Sequence, residues 1–78
     1  PNPFNPTTTI EFALPTAGHV KLEVFNVLGQ KTALLVNGPM TAGVHQVEFD
    51  ASSAPSGIYF YRLTAESTNL TKKMILVK

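Results

Sequence analysis

Two histidines are the residues in this chain best equipped for chemistry. His19 and His45 are its only imidazoles, and with Asp50 and a nearby serine such as Ser52 they supply the residue types of a hydrolytic triad. In that chemistry a base takes the hydroxyl proton, a carboxylate orients the base, and a strained elbow holds the nucleophile. No serine sits in a GxSxG elbow; Ser52, Ser53 and Ser56 fall in an ordinary polar loop. The same imidazoles with scattered carboxylates give no HxH, no HExxH and no calcium loop of the DxDxDG kind, so the spacing predicts no metal site. The carboxylate pair that glycoside hydrolysis requires would have to come from residues such as Glu11 and Glu23, which alternate outward on their strands as solubilising groups do. A catalytic pocket also needs an interior that a domain of this size does not have to spare. The sequence therefore predicts no enzyme, and no cofactor.

Sugar binding is the more serious alternative, because a flat platform of aromatic rings is enough to stack on pyranose faces. The chain has no Trp, and Tyr59 and Tyr61 fall two apart within its most apolar segment. Alternation puts both on one sheet face, where they read as core. Phe25 is the aromatic left to face outward. Asn69-Leu70-Thr71 matches the glycosylation acceptor pattern, a triplet that arises easily by chance.

The totals bound the rest. Seventy-eight residues make one domain, with 44% hydrophobic and 14% charged residues, a globular composition. The formal net charge of +1 gives no electrostatic reason to expect a nucleic acid or an acidic membrane. With no cysteine, neither a disulfide framework nor a thiolate site can form. The apolar run Met74 to Val77 is far below the roughly 20 residues needed to cross a bilayer as a helix. No signal peptide is visible and the chain begins with Pro1, so we expect a piece of something longer.

The elements that would carry any site are strands, because apolar residues recur with period two. Ile10, Phe12 and Leu14 share one face of the first segment. Pro15 to Gly18 turns the chain, and Val20, Leu22 and Val24 then point inward while Lys21 and Glu23 point to water. Asn26 to Gln30 forms a connection in which Gly29 suits a positive φ. Lys31 to Val36 reads as a short strand stopped by Asn37-Gly38-Pro39. After a turn at Thr41-Ala42-Gly43, Val44 to Asp50 sets His45, Val47 and Phe49 on one face and Gln46 and Glu48 on the other. Ala51 to Gly57 has the composition of a crossing loop. Ile58 to Ala65, β-branched and aromatic on both faces, reads as a central strand. Glu66 to Asn69 turns, and Leu70 to Val77 closes the domain. The predicted fold is all-β, an immunoglobulin-like antiparallel sandwich of six to seven short strands over residues 7–78, with a small barrel as the alternative.

The two ends complete the pattern. PNPFNP places three prolines in six residues. Each lacks an N–H and forces its predecessor into extended space, so residues 1–6 are expected to be a stiff linker. TKKMILVK ends the chain on a strand that mixes basic and apolar residues. In order, PNPFNPTTTIEFALP, VKLEVFNVLGQK, AGVHQVEFDAS, PSGIYFYRL and TKKMILVK resemble the C-terminal sorting domains of the type IX secretion system. The pattern is shared with the immunoglobulin-like module of flagellar hook-cap proteins, and the resemblance covers essentially the whole chain.

That resemblance implies a delivery role: a non-catalytic C-terminal domain of a larger exported protein, acting as its sorting signal. The partners it implies are an N-terminal cargo domain, the outer-membrane secretion machinery and a sortase-like peptidase. The expected route is transit through the periplasm, then release or attachment at the cell surface. The signal would lie in Lys72, Lys73, Met74, Ile75, Leu76, Val77 and Lys78. Gly57 and Tyr59 match the family's Gly-x-Tyr strand entry and Gly29 its hairpin glycine; these, with the turn at Gly43, are expected to determine the fold. A passive spacer attached to a secreted enzyme is the alternative role.

Overall fold

The computed structural model describes residues 7–66 and 68–77. The expected linker at 1–6 lies outside the described residues, as do Ser67 and Lys78. The described chain forms six antiparallel strands: β1 (Thr7–Leu14), β2 (Gly18–Asn26), β3 (Lys31–Met40), β4 (Gly43–Asp50), β5 (Gly57–Ala65) and β6 (Thr68–Leu76). They divide into a two-stranded sheet, β1-β4, and a four-stranded sheet in the order β3-β2-β5-β6. The all-β antiparallel sandwich expected from the alternation is what forms.

The inner faces are those that period two selects. Ile10, Phe12 and Leu14 of β1 and Phe49 of β4 close over Val20, Leu22 and Val24 of β2 and Tyr59 and Leu63 of β5. Leu22 and Leu63 are cross-strand partners and fully buried, and Val20 and Val24 are equally sealed. Each such aliphatic side chain contributes about 1.5–3 kcal/mol relative to an exposed one. Because the core is built from only two layers, these few residues supply most of the stability of a small domain.

Loops follow their turn chemistry. Gly29, with φ 83°, and Gly43, with φ 118°, occupy left-handed backbone that a Cβ disfavours. Gly57 opens β5 opposite Leu76 at φ 155°, a positive value that L side chains rarely adopt. The segment from Ala51 to Ser56 crosses from the small sheet to the large one, as its composition predicts. It is held by Ser52 N donating to Asp50 Oδ1 (2.9 Å), Ala54 N to the Ala51 carbonyl (3.0 Å) and Tyr59 Oη to the Pro55 carbonyl (2.7 Å).

Three sequence expectations need correction. The third strand does not stop at Val36 but continues through Asn37-Gly38-Pro39 to Met40. β3 lies at a sheet edge, where proline, lacking an N–H, removes no obligatory ladder bond. The last turn is also shorter than Glu66 to Asn69, since β6 begins at Thr68. Finally, Glu23 is not in water: it is only 8% exposed. Alternation correctly gives its side of the sheet, but β2 is an inner strand. Leu34 and Arg62 flank Glu23 across the ladder, and Lys31 Nζ reaches its carboxylate at 3.4 Å. Long neighbours on adjoining strands can cover an outward residue that one strand alone would leave exposed.

Candidate functional site

The residue types of a triad are present but are not brought together. His19 lies on the four-stranded sheet and His45 on the two-stranded one. His19 Nε2 donates to Asn37 Oδ1 at 2.8 Å. His45 Nε2 donates to the Thr41 carbonyl at 2.7 Å, with its ring against Phe12 at 5.7 Å between centroids. Asp50 is five residues along β4 from His45, about 17 Å for an extended strand, and an odd separation puts it on the opposite face. Among the described residues no group of three or more His, Cys, Asp or Glu could hold a metal.

The cleft between β3 and the crossing loop, about 360 Å³, is lined by Thr32, Phe49, Asp50, Pro55 and Tyr59, among others. It offers one carboxylate and neither a second acid nor an imidazole. Glu11 and Glu23 lie on different sheets, with Glu11 accepting from Gln46 Nε2 at 3.0 Å. Of the aromatics weighed for sugar stacking, Tyr59 is buried and Tyr61 packs against the core. Phe25 does face outward, but the Arg62 guanidinium lies 4.7 Å from its ring centre, so that ring face is occupied.

What remains is the closing strand. β6 pairs with β5 alone, in a register that runs from Ala65↔Thr68 to Gly57↔Leu76 without a shift. An edge strand of this kind presents a row of unpaired backbone N–H and C=O groups along its free side. The residues singled out from the sequence divide between its two faces. Leu70, Met74 and Leu76 lie against the core, whereas Lys73 and Ile75 point to solvent, and Val77 follows the strand at 85% exposure. Lys72 pairs with Tyr61, which packs against the core, so alternation starts it on the same side of the strand as Leu70 and Met74, and the residue is nevertheless exposed.

The outer face beside β6 contains residues that the sequence survey did not select. Register aligns Lys31, Phe25, Phe60 and Lys73 in one row across the sheet, with Glu23, Arg62 and Thr71 in the next and Ile58 beside Ile75 at the end. The signal was present: once Tyr59 and Tyr61 are assigned inward, Ile58, Phe60 and Arg62 must point outward. At the same end, the Asn26–Gln30 connection is stapled by its asparagine. Asn26 Oδ1 accepts from Leu28 N (2.9 Å) and Gln30 N (3.0 Å), and its Nδ2 donates to Gln30 Oε1 (2.8 Å). This fixed turn holds Val27 and Leu28 out in solvent.

Comparison with known proteins gives one finding. The family model described as "Secretion system C-terminal sorting domain" matches residues 1–78. Searches of curated proteins and of solved structures return no match. The matched family is one of sorting signals for exported proteins that are secreted or attached at the cell surface, not one of catalysts. No helix among the described residues is long and apolar enough to cross a membrane. A family match across the full length, on an all-β domain whose potential catalytic groups stay apart, identifies the chain as a member of the type IX secretion C-terminal sorting domain family.

Proposed function

We propose that this domain is read in its folded state by the outer-membrane translocon, and that β6 is the element read. The observation that carries the proposal is the position of Thr68–Leu76: a regular nine-residue strand at the free edge of the larger sheet. A receptor strand added to that edge would gain main-chain hydrogen bonds, while side chains at alternate positions supply specificity. Met74 and Leu76 anchor the strand to the core, leaving Lys73, Ile75, Val77 and the backbone edge for recognition. Lys72 and Lys73 also keep the edge from pairing with a second copy before the receptor arrives; lysine on an edge strand opposes such pairing.

In this scheme the domain performs no catalysis. It crosses the periplasm behind its N-terminal cargo and folds there. It is then recognised at the outer membrane, where a sortase-like peptidase removes it and the cargo is joined to surface lipopolysaccharide. The test is deletion of Thr71 to Lys78 in the full chain, expressed in the cell that produces it. The cargo is expected to accumulate in the cell envelope and to disappear from the surface and medium. Since the deletion also removes Met74 and Leu76 from the packing, Ile75→Ser with Val77→Ser provides a second variant that leaves the core intact. Export of both variants at the unmodified level would refute recognition through β6.

A further inference from the structure

Five of the large apolar side chains left exposed gather at one end of the four-stranded sheet: Val27, Leu28, Ile58, Ile75 and Val77. Ile58 and Ile75 face each other across β5 and β6, next to the Phe25–Phe60 pair. Asn26 is opposite Tyr59, so the stapled turn that follows it stands level with Ile58. The result is a continuous apolar strip on a sheet face that no other part of the described chain covers. Solvent-facing antiparallel sheets ordinarily present polar residues there, and contiguous apolar patches mark interaction sites.

Charge is divided between the two outer faces. On the outer face of the four-stranded sheet, Lys31 and Lys73 flank the Phe25–Phe60 pair beside the strip, Arg62 lies in the next row, and Lys21 lies one row beyond it. Its single described acid, Glu23, is buried against Lys31. The outer face of the two-stranded sheet carries Glu11, Glu48 and Asp50 and no described lysine or arginine. The net charge near zero therefore conceals one basic face and one acidic face.

We infer that this cation-rimmed strip docks an acidic, apolar segment of a protein partner. Its contact residues come from three separate stretches of chain: the turn at Val27-Leu28, β5 at Ile58 and Arg62, and β6 at Lys73 and Ile75. The inference rests on the sorting reading for the partner's place in the export machinery. It extends that reading, because recognition then depends on residues far in sequence from the last strand, which meet only in the folded domain. Charge complementarity selects an acidic partner, and the buried centre of such a contact is expected to be the aromatic and aliphatic strip. A second copy fits less well. Its acidic outer face has only Ala13 and Val44 as an apolar row, beyond the acids rather than among them.

The experiment uses the full chain in its producing cell, with photoreactive benzoylphenylalanine placed at Ile58 and, as a control, at Val44 on the opposite sheet. The expected result is a protein adduct at position 58 and none at 44. Mass spectrometry should map it to a segment rich in Asp or Glu and aliphatic residues, and Arg62→Glu with Lys73→Glu should lower its yield about tenfold. Arg62→Lys with Lys73→Arg should retain it, as should Glu11→Gln with Glu48→Gln. A self-adduct, a lipid adduct, an adduct to a basic or wholly polar segment, or no adduct at position 58 would each overturn the inference. Failure of the two ideas is distinguishable. Unmodified export of both the 71–78 deletion and the Ile75→Ser, Val77→Ser chain refutes the sorting reading, whereas normal export of the Arg62→Glu, Lys73→Glu chain with no adduct refutes only the docking face.

Discussion

The two outer strands of the larger sheet, β3 and β6, present very different edges to solvent. β3 carries Pro39 near its end, and its pairing with β2 shifts register twice, between Leu22 and Glu23 and between Val24 and Phe25. The two shifts leave Leu35 and Thr32 as extra residues on β3, so the strand bends away from a straight template. β6 has no proline, no shift and nine residues in line with β5. Its only protection is chemical: one lysine on the same side of the strand as Leu70 and Met74 and one on the outer face. A bulged, proline-bearing edge is closed permanently by geometry. An edge guarded only by charge can be opened by a partner that neutralises it. The difference leaves β6 as the straighter and more regular of the two edges.

The comparison can be broken or sharpened by substitution. The largest effect is expected where both edges depend on one buried contact: Leu63→Ala on β5 should cost about 2–5 kcal/mol, read as a lowered midpoint in denaturant. Both edges should then unfold in the same transition. Leu70→Ala, at a half-buried site on β6, should cost about 1–3 kcal/mol and raise amide exchange in β6 more than in β3. Independence of β6 exchange from this change would show that the strand is held by its backbone alone. Lys72→Val with Lys73→Val should leave the fold intact but tighten self-association by about tenfold or more in sedimentation. Lys31→Val, on the bulged edge, should leave the domain monomeric at the same concentration. If the two edges respond equally, charge is not what guards β6. Gly29→Ala should cost about 1 kcal/mol through its left-handed backbone. The smallest effect is expected for Pro39→Val, within about 0.5 kcal/mol, because no ladder bond is gained on a free edge.

Much of the fold was legible in particular residues. Ile10, Phe12 and Leu14, or Val20, Leu22 and Val24, could be assigned inward from period two alone, since a one-residue slip would turn every one of them into water. Gly29 declared a connection of positive φ, and Thr41-Ala42-Gly43 declared a turn. Glu23 and Lys72 could not be placed correctly in the same way, because their surroundings come from other strands. Alternation tells which side of its own strand a residue occupies and nothing of what stands beside it. Asn37-Gly38-Pro39 read as a stop because those residues are poor in central strands, but β3 proved to be an edge. That the two histidines lie on two different sheets was not legible either, because sheet membership is set by strand pairing and not by local pattern.

By itself, the sequence determined an all-antiparallel β domain with its inner faces, its glycine-bearing turns and its family. The physical reason is that alternation and φ preference act within a few residues of chain. Tertiary structure alone decided the strand order, and with it which strands became edges. It also decided that four of the larger sheet's five cations, Lys21, Lys31, Arg62 and Lys73, share one face with the apolar strip while three of the acids line the outer face of the smaller sheet. Those outcomes depend on pairings between residues dozens of positions apart, which no local pattern encodes.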